Sequence, residues 1–236
     1  MSPIVLGHAW KDLLFLHWEL PPEAVRPAVP PPFELDLREG RAWVGIVAFE
    51  VRGLRPRFLP WGLDFLETNL RTYVRWNGRP AIWFLTLDAA SRLAVMGARA
   101  AYGLPYRHAR MRLEWDGEGL EVGHVRTGDG ASFRARCRVG ARLGPAGEGT
   151  LEHFLVERYR FFVVRAGRVL ETKVRHAPYA LHAAAVDEVA ESLCAPAGLP
   201  PAAGRPHALY SPGVEVEGLT TRRAPAAAGA DPARTR

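Results

Sequence analysis

The chain has 236 residues, enough for one large β-rich domain or two small ones, and enough to bury a full core. Its 48% hydrophobic and 24% charged residues exclude a disordered or fibrous chain, and no apolar run is long enough to cross a bilayer as a helix. The net charge of +6 raises nucleic acid as a partner, but the basic residues are scattered and form no helical stripe, so neither a nucleic-acid nor a membrane partner is expected.

In chain order, the N-terminal stretch MSPIVLGHAWKDLL lacks the basic start, apolar run and cleavage site of a signal peptide, which points to the cytoplasm. Leu13 to Leu20 reads as a strand with Leu14, Leu16, Trp18 and Leu20 on one face and Phe15, His17 and Glu19 on the other. The prolines of PPEAVRPAVP start a short helix and end it early. Phe33–Leu37 and Ala42–Arg52 are strands joined across Arg38-Glu39-Gly40-Arg41. The loop Gly53–Gly62 is rich in Pro, Gly and aromatic residues, and reads either as a lid over a pocket or as an apolar plug on the sheet.

Glu67–Trp76 and Ala81–Leu87 form a hairpin around Asn77-Gly78, a dipeptide suited to a tight turn. Ser91 caps a helix that runs to Tyr102; Gly103 ends it, Pro105 extends the backbone, and a strand begins at Tyr106. Tyr106–Trp115 and Leu120–Arg126 make another hairpin, followed by a strand over Ser132–Leu143 and a short helix from Thr150 to Glu157. Arg160–Arg165 and Arg168–Arg175 pair across Ala166-Gly167. Ala185–Ala195 reads as a helix with Asp187, Glu188 and Glu191 on its solvated face, and His207–Gly218 as a last strand. Residues 224–236 form a low-complexity tail expected to be disordered, leaving residues 1–223 as one domain. Cys137 and Cys194 stand far apart and outside any paired motif, so two free thiols are expected.

Hairpins dominate and strand-helix alternation is missing. The expected class is therefore α+β: a mostly antiparallel sheet curled into a barrel or cone with a few short helices. Two strand faces are polar where they need not be. One reads Glu67, Asn69, Arg71, Tyr73, Arg75; the other reads Tyr106, His108, Arg110, Arg112, Glu114. Either these faces meet water, as on any half-exposed antiparallel strand, or they line a polar cavity inside a closed sheet. In the second arrangement Arg71 and Arg110 offer planar forks to an oxyanion, Asn69 and His17 add polar contacts, and Glu67, Tyr106 and His108 supply acid/base groups.

The segments DLLFLHW, GRAWVGIVAFEVRGLRP, FLETNLRTYVR, GLPYRHARM, VRHAPYAL and HALYSPGVEV together resemble, in order, the landmarks of the DUF2071 or YqjF-like family, from about Trp10 to Glu217. That family in turn resembles the acetoacetate decarboxylase superfamily, a curled antiparallel sheet around a central pocket. The resemblance implies that Gly103-Leu104-Pro105 corresponds to the turn that precedes the superfamily's Schiff-base lysine. Tyr106 then stands at the nucleophile's place and Arg107 at that of its neighbouring lysine, while Glu67 matches the pocket glutamate. Imine formation requires a primary amine, which neither Tyr nor Arg supplies. The chain's two lysines, Lys11 and Lys173, lie away from this turn, although Lys173 as a relocated nucleophile stays open.

No His pair, His-Glu-x-x-His helix, nucleophile elbow, phosphate loop or dinucleotide fingerprint occurs, so neither a metal nor a cofactor is expected. His17, His108 and His176 read as pocket residues or as hydrogen-bonded structural histidines. The expectation is a small-molecule pocket for a carboxylate or carbonyl ligand with lysine-independent acid/base chemistry. The alternative is a non-catalytic binder, sensor or interaction protein; homo-oligomerisation stays open.

Overall fold

The computed structural model describes residues 6–56, 61–117 and 119–225. One sheet takes up β1 (Leu6–Leu20), β2 (Glu34–Leu35), β3 (Ala42–Pro56), β4 (Leu63–Trp76), β5 (Arg79–Ala89), β6 (Tyr106–Trp115), β7 (Leu120–Arg126), β8 (Ser132–Gly144), β9 (Arg160–Arg165), β10 (Arg168–His176), β11 (Leu181–Glu191) and β12 (His207–Arg223). The α-helices are α1 (Pro22–Val25), α2 (Arg92–Tyr102) and α3 (Leu151–Val156). The class is α+β and mostly antiparallel, as the hairpin pattern implies. Among the described residues no helix is long and apolar enough to cross a membrane.

Two strands change partners along their length, and this curls the sheet. The first half of β12 lies beside β1, with Val216 opposite His8 and His207 opposite His17; its second half pairs with β10. Strand β5 runs antiparallel to β4, touches β9 near its start through Ile82 and Phe161, and runs parallel to β6 at its end, from Leu87 opposite Tyr106 to Ala89 opposite His108. The result is a curled sheet rather than a regular barrel.

The two faces of the central strands serve different interiors. Leu14, Leu16, Ile46, Ala48 and Leu70 pack on Leu120, Val122, Phe133, Ala135 and Val186 in a filled core. Each of the Leu, Ile, Val and Phe side chains among them contributes about 1.5–3 kcal/mol by leaving water. The opposite faces carry Phe15, Val47, Phe49, Phe65 and Tyr73 into a second cluster with α2 and α3.

The junction before β6 follows its local chemistry. Ser91 accepts a hydrogen bond from the Ala94 N–H at 3.2 Å, and Gly103 takes the left-handed conformation (φ 67°) that ends α2. The hairpin dipeptides behave likewise: Asn77 and Gly78 both have positive φ, as do Ala166 and Gly167.

The expected helix over Ala185–Ala195 is instead β11, paired with β8. A register shift between Val186 and Glu188 leaves Asp187 and Glu188 both exposed, where they pair with Arg138 and Arg134 across the sheet. That extra residue turns the strand's period of two into a spacing that imitates a helix. Glu191 is not on a solvated helix face either; its carboxylate accepts from the N–H groups of Leu193, Cys194 and Ala202 at 2.7–2.9 Å.

Strand β1 starts earlier than the expected Leu13, and β3 runs through Gly53 to Pro56; residues 57–60 of the suspected lid lie outside the described residues. The docked chain extends two residues into the expected tail. Ala224 is buried with its N–H on Val169 O, and Pro225 O accepts from Trp76 Nε1 at 2.9 Å; the rest of the tail lies outside the described residues. Cys137 and Cys194 are buried, free thiols.

Candidate ligand cavity

Strand β4 lies between β3 and β5, so both of its edges are paired, and its two faces look into different interiors. Leu70 and its neighbours fill the core described above. The polar face, Glu67, Asn69 and Arg71, turns the other way, and these side chains are only 6%, 4% and 6% exposed. They line a cavity of about 130 Å³ walled by β1, β3, β4, β5, β9 and β10. Most of its wall is apolar, with Phe49, Phe65 and Phe84 prominent, and α2 contributes Ala98 near Leu104 and Tyr106.

Tyr106 enters the cavity because the first three residues of β6 lie beside β5. Its hydroxyl donates to Glu67 Oε2 at 2.7 Å. Burial pushes the Glu67 carboxyl up to about 7, against the lowering effect of its hydrogen bonds with Tyr106 and Asn69; the charge of Asp88 adds to the rise. Glu67 therefore exchanges its proton near neutrality, the property a general acid or base needs.

Arg71 occupies the other end of the polar strip. Its Nη2 donates to Leu155 O at 3.1 Å, and its Nε is buried without a partner. The guanidinium carbon lies 5.8 Å from the Phe15 ring centre and 6.0 Å from that of Tyr73. Among the described residues no carboxylate forms an ion pair with it. Arg158, on the same cavity, is different: it pairs with buried Asp36 at 2.9 Å, and Asp36 also holds Arg75 at 2.7 Å. Arg71 is thus a buried cation with no counter-ion among the described residues, a costly state.

The remaining residues picked out by pattern fall elsewhere. His108 shares a strand face with Tyr106, but β6 leaves β5 after it; His108 is half-buried against Thr127 and does not line the cavity, and Arg110 is exposed. One strand face is therefore internal, while the other turns to solvent after a single residue. His17 is fully buried but is not on the cavity wall. It stacks on Phe15 beneath Gly45, with neither ring nitrogen hydrogen-bonded, and burial holds it well below the usual histidine range. A Cβ on Gly45 would lie 2.5 Å from His17 Cδ2, so this packing requires glycine. His176 packs between Tyr159 and Tyr179, with its Nδ1 2.7 Å from Ala177 O.

Both lysines point away. Lys11 pairs with Glu215 at 3.7 Å, and Lys173 is exposed on β10 while its neighbour Val174 lines the cavity. Lys173 is therefore not a relocated nucleophile in this structure. Arg107 is directed to Asp129 at the surface.

Sequence reasoning missed His8, Arg158 and Tyr179 on the cavity wall. Strand β1 has a register shift between Lys11 and Leu14, with Asp12 at φ 51°. The shift places His8 and Trp10 on the same wall as Leu13 and Phe15, which strict alternation separates. Burial lowers His8 to about 4, so it is neutral at physiological pH. Arg158 and Tyr179 sit in the connections between α3 and β9 and between β10 and β11, where no periodic pattern marks them.

The DUF2071 family model, described as an uncharacterized conserved protein, matches residues 8–215. "Uncharacterized protein YqjF" of Bacillus subtilis (strain 168) is 36% identical over 181 residues, covering 75% of each chain. Among solved structures, the enduracididine biosynthesis enzyme MppR complexed with pyruvate aligns over 94% of this chain and 91% of its own, with a TM-score of 0.65 and 14% identity. An acetoacetate decarboxylase-like enzyme from Sphingomonas wittichii RW1 aligns over 95% of both chains, with a TM-score of 0.60 and 15% identity. The fold is thus of the acetoacetate decarboxylase type.

Proposed function

The chain belongs to the DUF2071 family, and from that premise we propose that it binds a small carboxylate bearing a carbonyl group and exchanges a proton with it through Glu67 and Tyr106, without a Schiff base. The observation that carries this reading is the buried Arg71 guanidinium, which has no counter-ion among the described residues. A carboxylate supplies one. MppR, alike in fold, is complexed with an oxo acid of this class, pyruvate.

The chemistry follows from the Glu67–Tyr106 pair. The ionised Glu67 carboxylate takes a proton from the carbon beside the ligand carbonyl. The C–H electron pair moves into a new C=C bond, and the carbonyl oxygen becomes an enolate oxygen stabilised by the Tyr106 hydroxyl. Return of a proton to oxygen gives the enol, and return to carbon regenerates the ketone with its hydrogen exchanged. Free, buried thiols in Cys137 and Cys194 support placing this activity in the reducing cytoplasm.

The test is solvent deuterium exchange into small oxo acids followed by NMR, alongside thermal-shift binding. Wild type is expected to bind and to wash deuterium into the carbon beside the carbonyl, Arg71→Ala to lose binding, and Glu67→Gln to bind without exchange. Binding without exchange in wild type would make the protein a binder or sensor. No binding of any oxo acid would remove the reading altogether.

A further inference from the structure

The two ends of the polar strip are far apart. Glu67 and Arg71 are four residues apart on one strand, so their Cα atoms are separated by about 13 Å. Tyr106 lies opposite Leu87, the partner of Asn69, so the Glu67 side chain closes part of that gap by reaching along the strand toward Asn69. Glu67 reaches to Tyr106 at the start of β6. Arg71 lies beside Tyr73 and shares the Leu155 carbonyl with the Tyr73 hydroxyl, which donates to it at 2.7 Å. The groups that shift Glu67 are Tyr106, Asn69 and Asp88, whereas Arg71 acts on His17, Tyr73 and Tyr179. Asn69 occupies the wall between the two ends.

From this separation we infer that the ligand is an oxo acid whose carboxylate and carbonyl are separated by at least two intervening carbons, with levulinate as the shortest member of the class. This rests on the proposed function and narrows it. A ligand whose two groups are adjacent, such as pyruvate, satisfies Arg71 or the Glu67–Tyr106 pair but not both. A longer chain lays its methylenes along the apolar wall of Phe49, Phe65 and Phe84, where burying each one favours binding by about 0.8 kcal/mol.

The experiment is calorimetric binding of pyruvate, acetoacetate and levulinate, with pentanoate as the levulinate analogue lacking the carbonyl. Levulinate is expected to bind wild type at least about tenfold more tightly than pyruvate, with acetoacetate between them and pentanoate weaker than levulinate. Glu67→Gln should lower the affinity for levulinate and leave that for pentanoate unchanged. Pyruvate binding as tightly as levulinate would overturn the length requirement while leaving the oxo-acid site standing. No binding by any of the four would overturn both. The wild-type series decides the matter whether or not a variant folds.

Discussion

The Tyr106 hydroxyl lies 2.7 Å from Glu67 Oε2, and this contact joins the start of β6 to the middle of β4 across the cavity. It favours the ionised form of a carboxyl that burial otherwise holds protonated, up to about 7. Tyr106→Phe removes the donor, so the Glu67 pKa is expected to rise above about 7 by roughly one unit. A carbon-13 NMR titration of the glutamate side chains reads this directly; an unchanged or lowered value would contradict the pairing.

Stability should carry the same signature. A carboxyl raised from its ordinary 4.5 to about 7 by folding is ionised first in the unfolded chain. The folded state is therefore not penalised below about pH 4.5, loses stability as pH rises through that interval, and bears the full cost above about 7. Glu67→Gln cannot ionise. Its stability relative to wild type should increase between these pH values, by up to about 3 kcal/mol. Urea melts across this range provide the measurement; a pH-independent difference would mean that Glu67 is not raised.

The two cavity arginines should respond oppositely to removal of their charge. Arg71→Met keeps much of the stem volume and removes an uncompensated buried cation, so its unliganded stability is expected to stay within about 1 kcal/mol of wild type or to exceed it, while anion binding disappears. Arg158→Met strips buried Asp36 of one of its two partners, and a loss of about 3 kcal/mol is expected. Denaturant melts of the two variants compare them; an equal loss in both would mean that Arg71 is as well paired as Arg158.

Gly45→Ala should destabilise by about 1–3 kcal/mol, because the new Cβ meets the His17 ring at 2.5 Å. Combining it with His17→Ala opens the space, so the double variant should lose less than the sum of the two single changes. Strict additivity would show that the ring does not set the requirement for glycine.

Borohydride reduction in the presence of an oxo acid should leave the peptides carrying Lys11 and Lys173 unmodified at ligand concentrations that saturate the cavity, since both amines point away from it. A stoichiometric adduct on Lys173, lost in Arg71→Ala, would show that this lysine enters the cavity.

Features that depend on neighbours in the chain are legible in the sequence. Ser91 and Gly103 bound α2, the dipeptides Asn77-Gly78 and Ala166-Gly167 make their hairpins, and the Gly103-Leu104-Pro105 turn leads from α2 to Tyr106 at the start of β6. These are matters of φ angles and of hydrogen bonds spanning a few residues, so local chemistry settles them. Tertiary structure alone decided which polar face is internal. Glu67, Asn69 and Arg71 are enclosed because the curled sheet closes over the polar face of β4, whereas His108 and Arg110 pass outside where β6 parts from β5. The bulges in β1 and β11 likewise exist only as mismatches with partner strands distant in sequence, and they moved His8 and Trp10 onto the cavity wall and made a strand look helical. Alternation along a strand says which residues share a face; what that face meets depends on closure of the sheet, a non-local event that no short window of sequence contains.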